Sequence, residues 1–104
     1  MVPVRIAVAA SLLWAACATA QSPDPALGRN VAAGCSACHG TNGASVGQVP
    51  SLAGMQRAEI ILKMQEFKSG RRQGTIMPQL AKGYTDDQID LAATWFASQP
   101  APAK

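Results

Sequence analysis

Cys35-Ser36-Ala37-Cys38-His39 decides how this chain reads. Two cysteines stand two residues apart, and a histidine directly follows the second. Two thiols about one helical turn apart can each reach the same flat ring. The next residue can then swing its imidazole beneath that ring. This is the attachment spacing of a c-type haem. Cys35 and Cys38 would form the thioether bonds and His39 would be the proximal iron ligand. The cofactor expected is one covalently bound haem c.

Other uses of the same residues fit less well. A structural zinc site usually takes four Cys or His ligands, and only Cys35, Cys38 and His39 stand in this region. A thioredoxin-like redox pair belongs in a βαβ setting, and no strand pattern is visible. A Cys35–Cys38 disulfide would close too small a loop to stabilise much.

Upstream, Met1 to Ala20 reads as an export segment rather than part of the fold. Arg5 supplies a positive start, Ile6 to Ala18 is apolar and uncharged, and Ala18-Thr19-Ala20 is a small-x-small cleavage site. The apolar run is shorter than the roughly 20 residues of a membrane helix. A lipid anchor at Cys17, behind Leu13-Trp14-Ala15-Ala16, is an alternative, although Trp14 stands where leucine is usual. An uncleaved N-terminal anchor is another. The expected division is residues 1–20 as leader and residues 21–104 as one small domain. Export places the protein in the periplasm, and it agrees with the motif because c-type haem is attached outside the cytoplasm. A small domain is marginal on its own core, and a covalently held porphyrin would supply apolar interior. The charge is mild, with nine basic and six acidic side chains, and Arg5 leaves with the leader. Two haem propionates would offset the remaining excess. Nothing here argues for nucleic acid or an anionic membrane.

Downstream the pattern is helical throughout. Asp24-Pro25 is a good N-cap followed by a proline suited to the first helical position. This helix carries Leu27 and Val31, is expected to run into Cys35, and ends near His39-Gly40. Gly28 within it is either tolerated or there to let another helix approach. Thr41 to Gly54 reads as a loop. In it Pro50 offers a carbonyl to hold the second nitrogen of His39, and Leu52 would press on the haem face. Gln56 to Ser69 reads as a helix, with Ile60, Ile61, Met64 and Phe67 at helical spacing and Gly70 as C-cap. Lys63, Lys68, Arg71 and Arg72 suit the helix dipole or a partner-docking patch. Gln73 to Tyr84 reads as a second loop, because Pro78 disfavours helix at Met77. A thioether on an extended loop can reach the distal side of the iron, so Met77 is the expected axial ligand. Met64 and Met55 compete; Met64 falls on the apolar helix face, where methionine is usually filler. Thr85-Asp86-Asp87-Gln88 is a capping box opening the last helix. Ile89, Ala92, Ala93 and Phe96 form its apolar stripe, with Trp95 or Phe96 packing near Gly28. Pro100 stops the helix, and Ala101 to Lys104 is a tail.

In this order the elements resemble the class I monohaem cytochromes c. The resemblance covers Cys35-x-x-Cys38-His39-Gly40, Pro50-x-Leu52, a helix, Met77, and a C-terminal helix. It implies a small all-α fold, its helices wrapped around one covalently attached haem. Thr75-Ile76-Met77 followed by Ala81-Lys82-Gly83-Tyr84-Thr85-Asp86 is similar to the cytochrome subunit of flavocytochrome c sulfide dehydrogenases. In that family a haem subunit takes electrons from a flavoprotein that oxidises sulfide. This chain, with one haem motif, would be a monohaem version. Small soluble bacterial cytochromes share much of the pattern.

The function expected is electron transfer with His39 and Met77 as metal ligands, and with Cys35, Cys38, Pro50 and Leu52 completing the haem site. No residue need act as acid, base or nucleophile, so no catalytic residue is assigned. The partners expected are redox proteins, either as a free shuttle or with a flavoprotein sulfide dehydrogenase subunit. The alternative class is a five-coordinate haem protein, a ligand sensor or a peroxidase-like enzyme, which requires that Met77 does not ligate. No second histidine or distal arginine is evident near the motif to support it.

Overall fold

Five α-helices and one 3-10 turn make up the computed structural model, which describes residues 1–3 and 24–103; among these there is no strand. The readings of a leader and of a lipid anchor at Cys17 rest on residues 4–20, which lie outside the described set.

Helix α1, Pro25–Ala33, starts where expected. The Asp24 carboxylate accepts from the Ala26 N–H at 2.9 Å, and Pro25 occupies a position whose missing N–H costs nothing. The expected continuous helix to His39 is broken. Gly34 and Cys35 keep right-handed backbone angles, but the Cys35 N–H bonds the Ala32 carbonyl three residues back, at 2.9 Å. That tighter turn re-aims the chain before α2, Ser36–His39. Gly40 follows at φ +90°, and a Cβ there would strike the Ala44 backbone. Glycine is therefore required where the chain leaves His39. A 3-10 turn over Thr41–Gly43 then leads into the loop.

Helix α3, Arg57–Ser69, ends as predicted at Gly70, which sits at φ 78°. The Arg71 N–H reaches back to the Glu66 carbonyl at 2.9 Å, which closes the helix end. The predicted loop around Met77 is instead a short helix, α4, Met77–Ala81. Pro78 takes its second position, where a missing N–H leaves no bond unmade and no earlier turn exists for the ring to strike. The Gln79 and Leu80 N–H groups both bond the Ile76 carbonyl, at 3.0 and 3.1 Å, and this outweighs the preference of a pre-proline residue for extended backbone. Helix α5, Asp86–Ala97, opens with the capping box in full. The Gln88 N–H donates to Thr85 Oγ1 at 3.1 Å, and the Thr85 N–H donates to Gln88 Oε1 at 2.9 Å.

α1 and α3 both pack on α5, and α4 packs on α3. Gly28 sets the first of these contacts. A Cβ at Gly28 would lie 2.9 Å from the Leu91 carbonyl oxygen and 3.3 Å from Trp95 Cβ, so the side chain facing it is Trp95. The core so formed is small. Ala32, Ile60, Ala93 and Phe96 make its buried cluster, and among the described residues only Phe96 and Ile89 are large side chains buried to within 2 % exposure. Burial of the Phe96 ring contributes about 1.5–3 kcal/mol.

Two predictions come from this packing. Gly28→Val must push α5 away through its backbone, and should cost about 1–3 kcal/mol in denaturant unfolding; an unchanged midpoint would exclude the close approach. The second concerns Asp86, whose Oδ1 accepts from Gln65 Nε2 at 2.7 Å and from the Lys68 ammonium at 3.3 Å. The Gln65 hydrogen bond first, then the bond to and charge of Lys68, hold its carboxyl below the ordinary carboxylate range. A depressed folded pKa means stability that is present above the unfolded value and lost as pH falls through the folded one. Asp86→Asn should therefore be less stable than the parent at neutral pH. The two unfolding midpoints should converge once the pH drops below the carboxylate range, and a gap constant across pH would contradict this.

Candidate functional site

Helices α2, α3, α4 and α5 and the loop after α2 leave between them a cavity of about 390 Å³. Its lining is mainly apolar. Val49 and Leu52 come from the loop, Ile60 and Phe67 from α3, Ile76 and Leu80 from around α4, and Ile89, Ala92 and Phe96 from α5. All six residues singled out in the sequence, Cys35, Cys38, His39, Pro50, Leu52 and Met77, line this one space. So do Met55 and Met64, the two competing methionines.

His39 is the last residue of α2, and its orientation is fixed by a contact eleven residues on. Nδ1 lies 2.6 Å from the Pro50 carbonyl oxygen. A carbonyl can only accept, so the bond puts a proton on Nδ1, and the neutral ring of that tautomer offers the Nε2 lone pair to a metal. The loop is braced to keep Pro50 there. The Leu52 and Ala53 N–H groups both donate to the Gly43 carbonyl, at 2.8 and 3.1 Å, and the Ser45 N–H donates to Ser51 Oγ at 2.9 Å. The Pro50 carbonyl, expected from the sequence to face the second nitrogen of His39, lies within hydrogen-bond distance of it.

Cys35 and Cys38 form no disulfide with each other. Cys35 is half-buried, and that burial pushes its thiol pKa up. A thioredoxin-like pair would sit in a βαβ unit, and the described residues contain no strand to build one. Among the described residues no group of three or more His, Cys, Asp or Glu is placed to hold a metal ion.

Met77 reaches the cavity from the first turn of α4 rather than from an extended loop. Three further lining residues were not read from the sequence as part of the haem site. Lys63 and Arg72 bring positive charge to the lining, each with an acidic partner: Glu59 at 3.0 Å from Lys63, and Glu66 at 2.7 Å from Arg72. The Arg72 guanidinium also lies 5.8 Å from the centre of the Phe67 ring. Tyr84 lines the cavity as well, and its hydroxyl oxygen would be 3.1 Å from a Cβ on Gly34. Arg72 and Tyr84 lie outside the regular periodicity of any helix, so spacing gave no signal for them.

The chemistry of this lining fits a flat, largely apolar ring with an acidic edge. It offers thiols for covalent attachment, an imidazole nitrogen with a free lone pair, thioethers, and two cations.

A family model described as Cytochrome c matches residues 25–99. The chain belongs to the cytochrome c family. It is a class I monohaem cytochrome c with the all-α fold of that class, and its prosthetic group is one covalent haem c. It is 41% identical over 64 residues to the cytochrome subunit of sulfide dehydrogenase from Chlorobaculum tepidum, covering 62% of this chain and 58% of that protein. It is 30% identical over 80 residues to cytochrome c-554(548) of Halomonas halodenitrificans, covering 73% of this chain and 96% of that one. With the thiosulfate dehydrogenase electron acceptor of Stutzerimonas stutzeri it shares 34% identity over 78 residues, 36% of that protein's length. The chain spans less than two thirds of several relatives, the sulfide dehydrogenase subunit among them.

Proposed function

We propose that this chain is a periplasmic electron-transfer cytochrome with His39 and Met77 as axial ligands, and that its electron donor is a sulfide-oxidising flavoprotein. The observation that carries the first part is the His39–Pro50 bond, which leaves Nε2 free on a cavity that Met77 also lines. Bound haem c supplies a one-electron couple at its iron. Cys35 and Cys38 hold the group through thioethers. Pro50 keeps the His39 ring oriented, and Leu52 packs on the ring face. The Met77 thioether fills the distal position, which raises the reduction potential and leaves no open site for ligand chemistry. No proton transfer is required of any side chain. Export to the periplasm rests on the reading of residues 1–20 and on the site of c-type haem attachment.

The donor assignment is supported by the similarity to a sulfide dehydrogenase cytochrome subunit.

Two experiments test the two parts separately. Met77→Ala should keep its haem, bind carbon monoxide when reduced, and lose on the order of 100 mV in potential, a fraction of the ~0.8 V that axial ligands span. An unchanged potential and spectrum would remove Met77 from the site. His39→Ala should yield little stable holoprotein. For the donor, tagged protein recovered from its native periplasm should carry a stoichiometric flavoprotein that reduces the haem on addition of sulfide. A cytochrome that purifies alone, and is reduced only by other donors, would instead be a free shuttle.

A further inference from the structure

The segment that carries Met77 has little to hold it in place by itself. Between Gly70 and Thr85 the only regular element is α4, and Ala81 is its only buried residue. Both ends of the segment are fastened to the last two turns of α3. At the leading end, the Arg71 and Arg72 N–H groups both donate to the Glu66 carbonyl, at 2.9 and 3.2 Å, and Arg72 Nε donates to Glu66 Oε2 at 2.7 Å. At the trailing end, the Lys68 ammonium donates to the Tyr84 carbonyl at 2.8 Å and to Asp86 Oδ1 at 3.3 Å.

We propose that Lys68 is a positioning residue for Met77: its bond to the Tyr84 carbonyl holds α4 against α3 and so keeps the Met77 thioether on the cavity. This rests on the reading of Met77 as an axial ligand. The bond is charge-assisted, and the Lys68 side chain is only 26% exposed, so water competes for it weakly. Asp86, at 77% exposure, adds little beyond orientation. The pull on Tyr84 passes directly to α4. The Tyr84 N–H bonds the Ala81 carbonyl at 3.2 Å, and the Gly83 N–H bonds the Leu80 carbonyl at 3.0 Å. Both acceptors lie in α4, one turn from Met77. Two other cations in this stretch lack such a link. Lys63 pairs with Glu59 within α3, and Arg71 is exposed and makes no ion pair among the described residues.

The test is displacement of the thioether by added imidazole in the ferric holoprotein, followed by its absorption spectrum. Lys68→Met keeps the aliphatic stem and removes the ammonium. It should bind imidazole about tenfold more tightly than the parent, as loss of one charge-assisted hydrogen bond implies. Lys68→Arg should restore most of the resistance, and Arg71→Met should match the parent. If Lys68→Met yields no holoprotein, Lys68→Gln, which removes the charge and keeps a polar side chain, is read in its place and should shift in the same direction. Parent-like imidazole affinity in Lys68→Met, even with a lowered denaturant midpoint, would make Lys68 merely structural and overturn the proposal. So would equal shifts in Lys68→Met and Arg71→Met. Met77→Ala measured alongside separates the two readings. If it binds imidazole no more tightly than the parent, there is no thioether to position and both fall; if it binds far more tightly while Lys68→Met does not, only the role of Lys68 falls.

Discussion

The helices of this chain close around an apolar space rather than around one another's side chains. Alanines make up much of the buried core, and Phe96 and Ile89 are its large fully buried side chains. Other large apolar residues, among them Leu52, Phe67, Ile76 and Leu80, face the cavity. A fold of this size has little apolar burial to spare against the conformational entropy of ordering the chain. An apolar cavity of about 390 Å³ left to water would weaken it further. The covalent haem of the family thus completes the interior as well as carrying the electron. This explains why so many lining residues are simple hydrocarbons: they do for the ring what a core does for a side chain.

Orientation within that space depends on a few polar contacts. The His39–Pro50 bond spans eleven residues, and it depends on Gly40 turning the chain and on Gly43 and Ser51 bracing the loop. The residues that flank α4 are bonded to Glu66 and Lys68 at the end of α3. The two anchors are built differently. The histidine side is short-range, a single loop closing on its own beginning. The segment that carries Met77 takes its polar anchors from a neighbouring helix. With His39 and Met77 as the proposed axial pair, electron transfer would need both contacts to stay fixed, so that little rearranges as the iron changes charge.

What was legible in the sequence was mostly local. The Asp24-Pro25 start, the Gly70 stop, the Thr85–Gln88 capping box and the Cys35–His39 motif each lie within a few residues, where spacing and chemistry decide the outcome. The Pro50 carbonyl was accessible for a different reason: an iron-bound histidine needs an acceptor for its other nitrogen, and the following loop offered one. The break at Gly34–Cys35 was not legible, because both residues keep helical angles and only the hydrogen-bond register changes. The α4 helix was hidden by a real preference, that of a pre-proline residue for extended backbone, which two bonds to the Ile76 carbonyl overcame. Lys68 looked like a dipole-compensating or docking charge, since its partner at Tyr84 lies sixteen residues away across a turn that spacing does not describe.

The most direct measurement of the central claim is the proton spectrum of the ferrous holoprotein, with its methionine methyl groups assigned. A thioether bound to the iron holds its methyl over the porphyrin face, where the ring current drives the resonance far upfield. The account predicts one such methyl, belonging to Met77. An upfield methyl belonging to Met55 or Met64, or none at all, would contradict it.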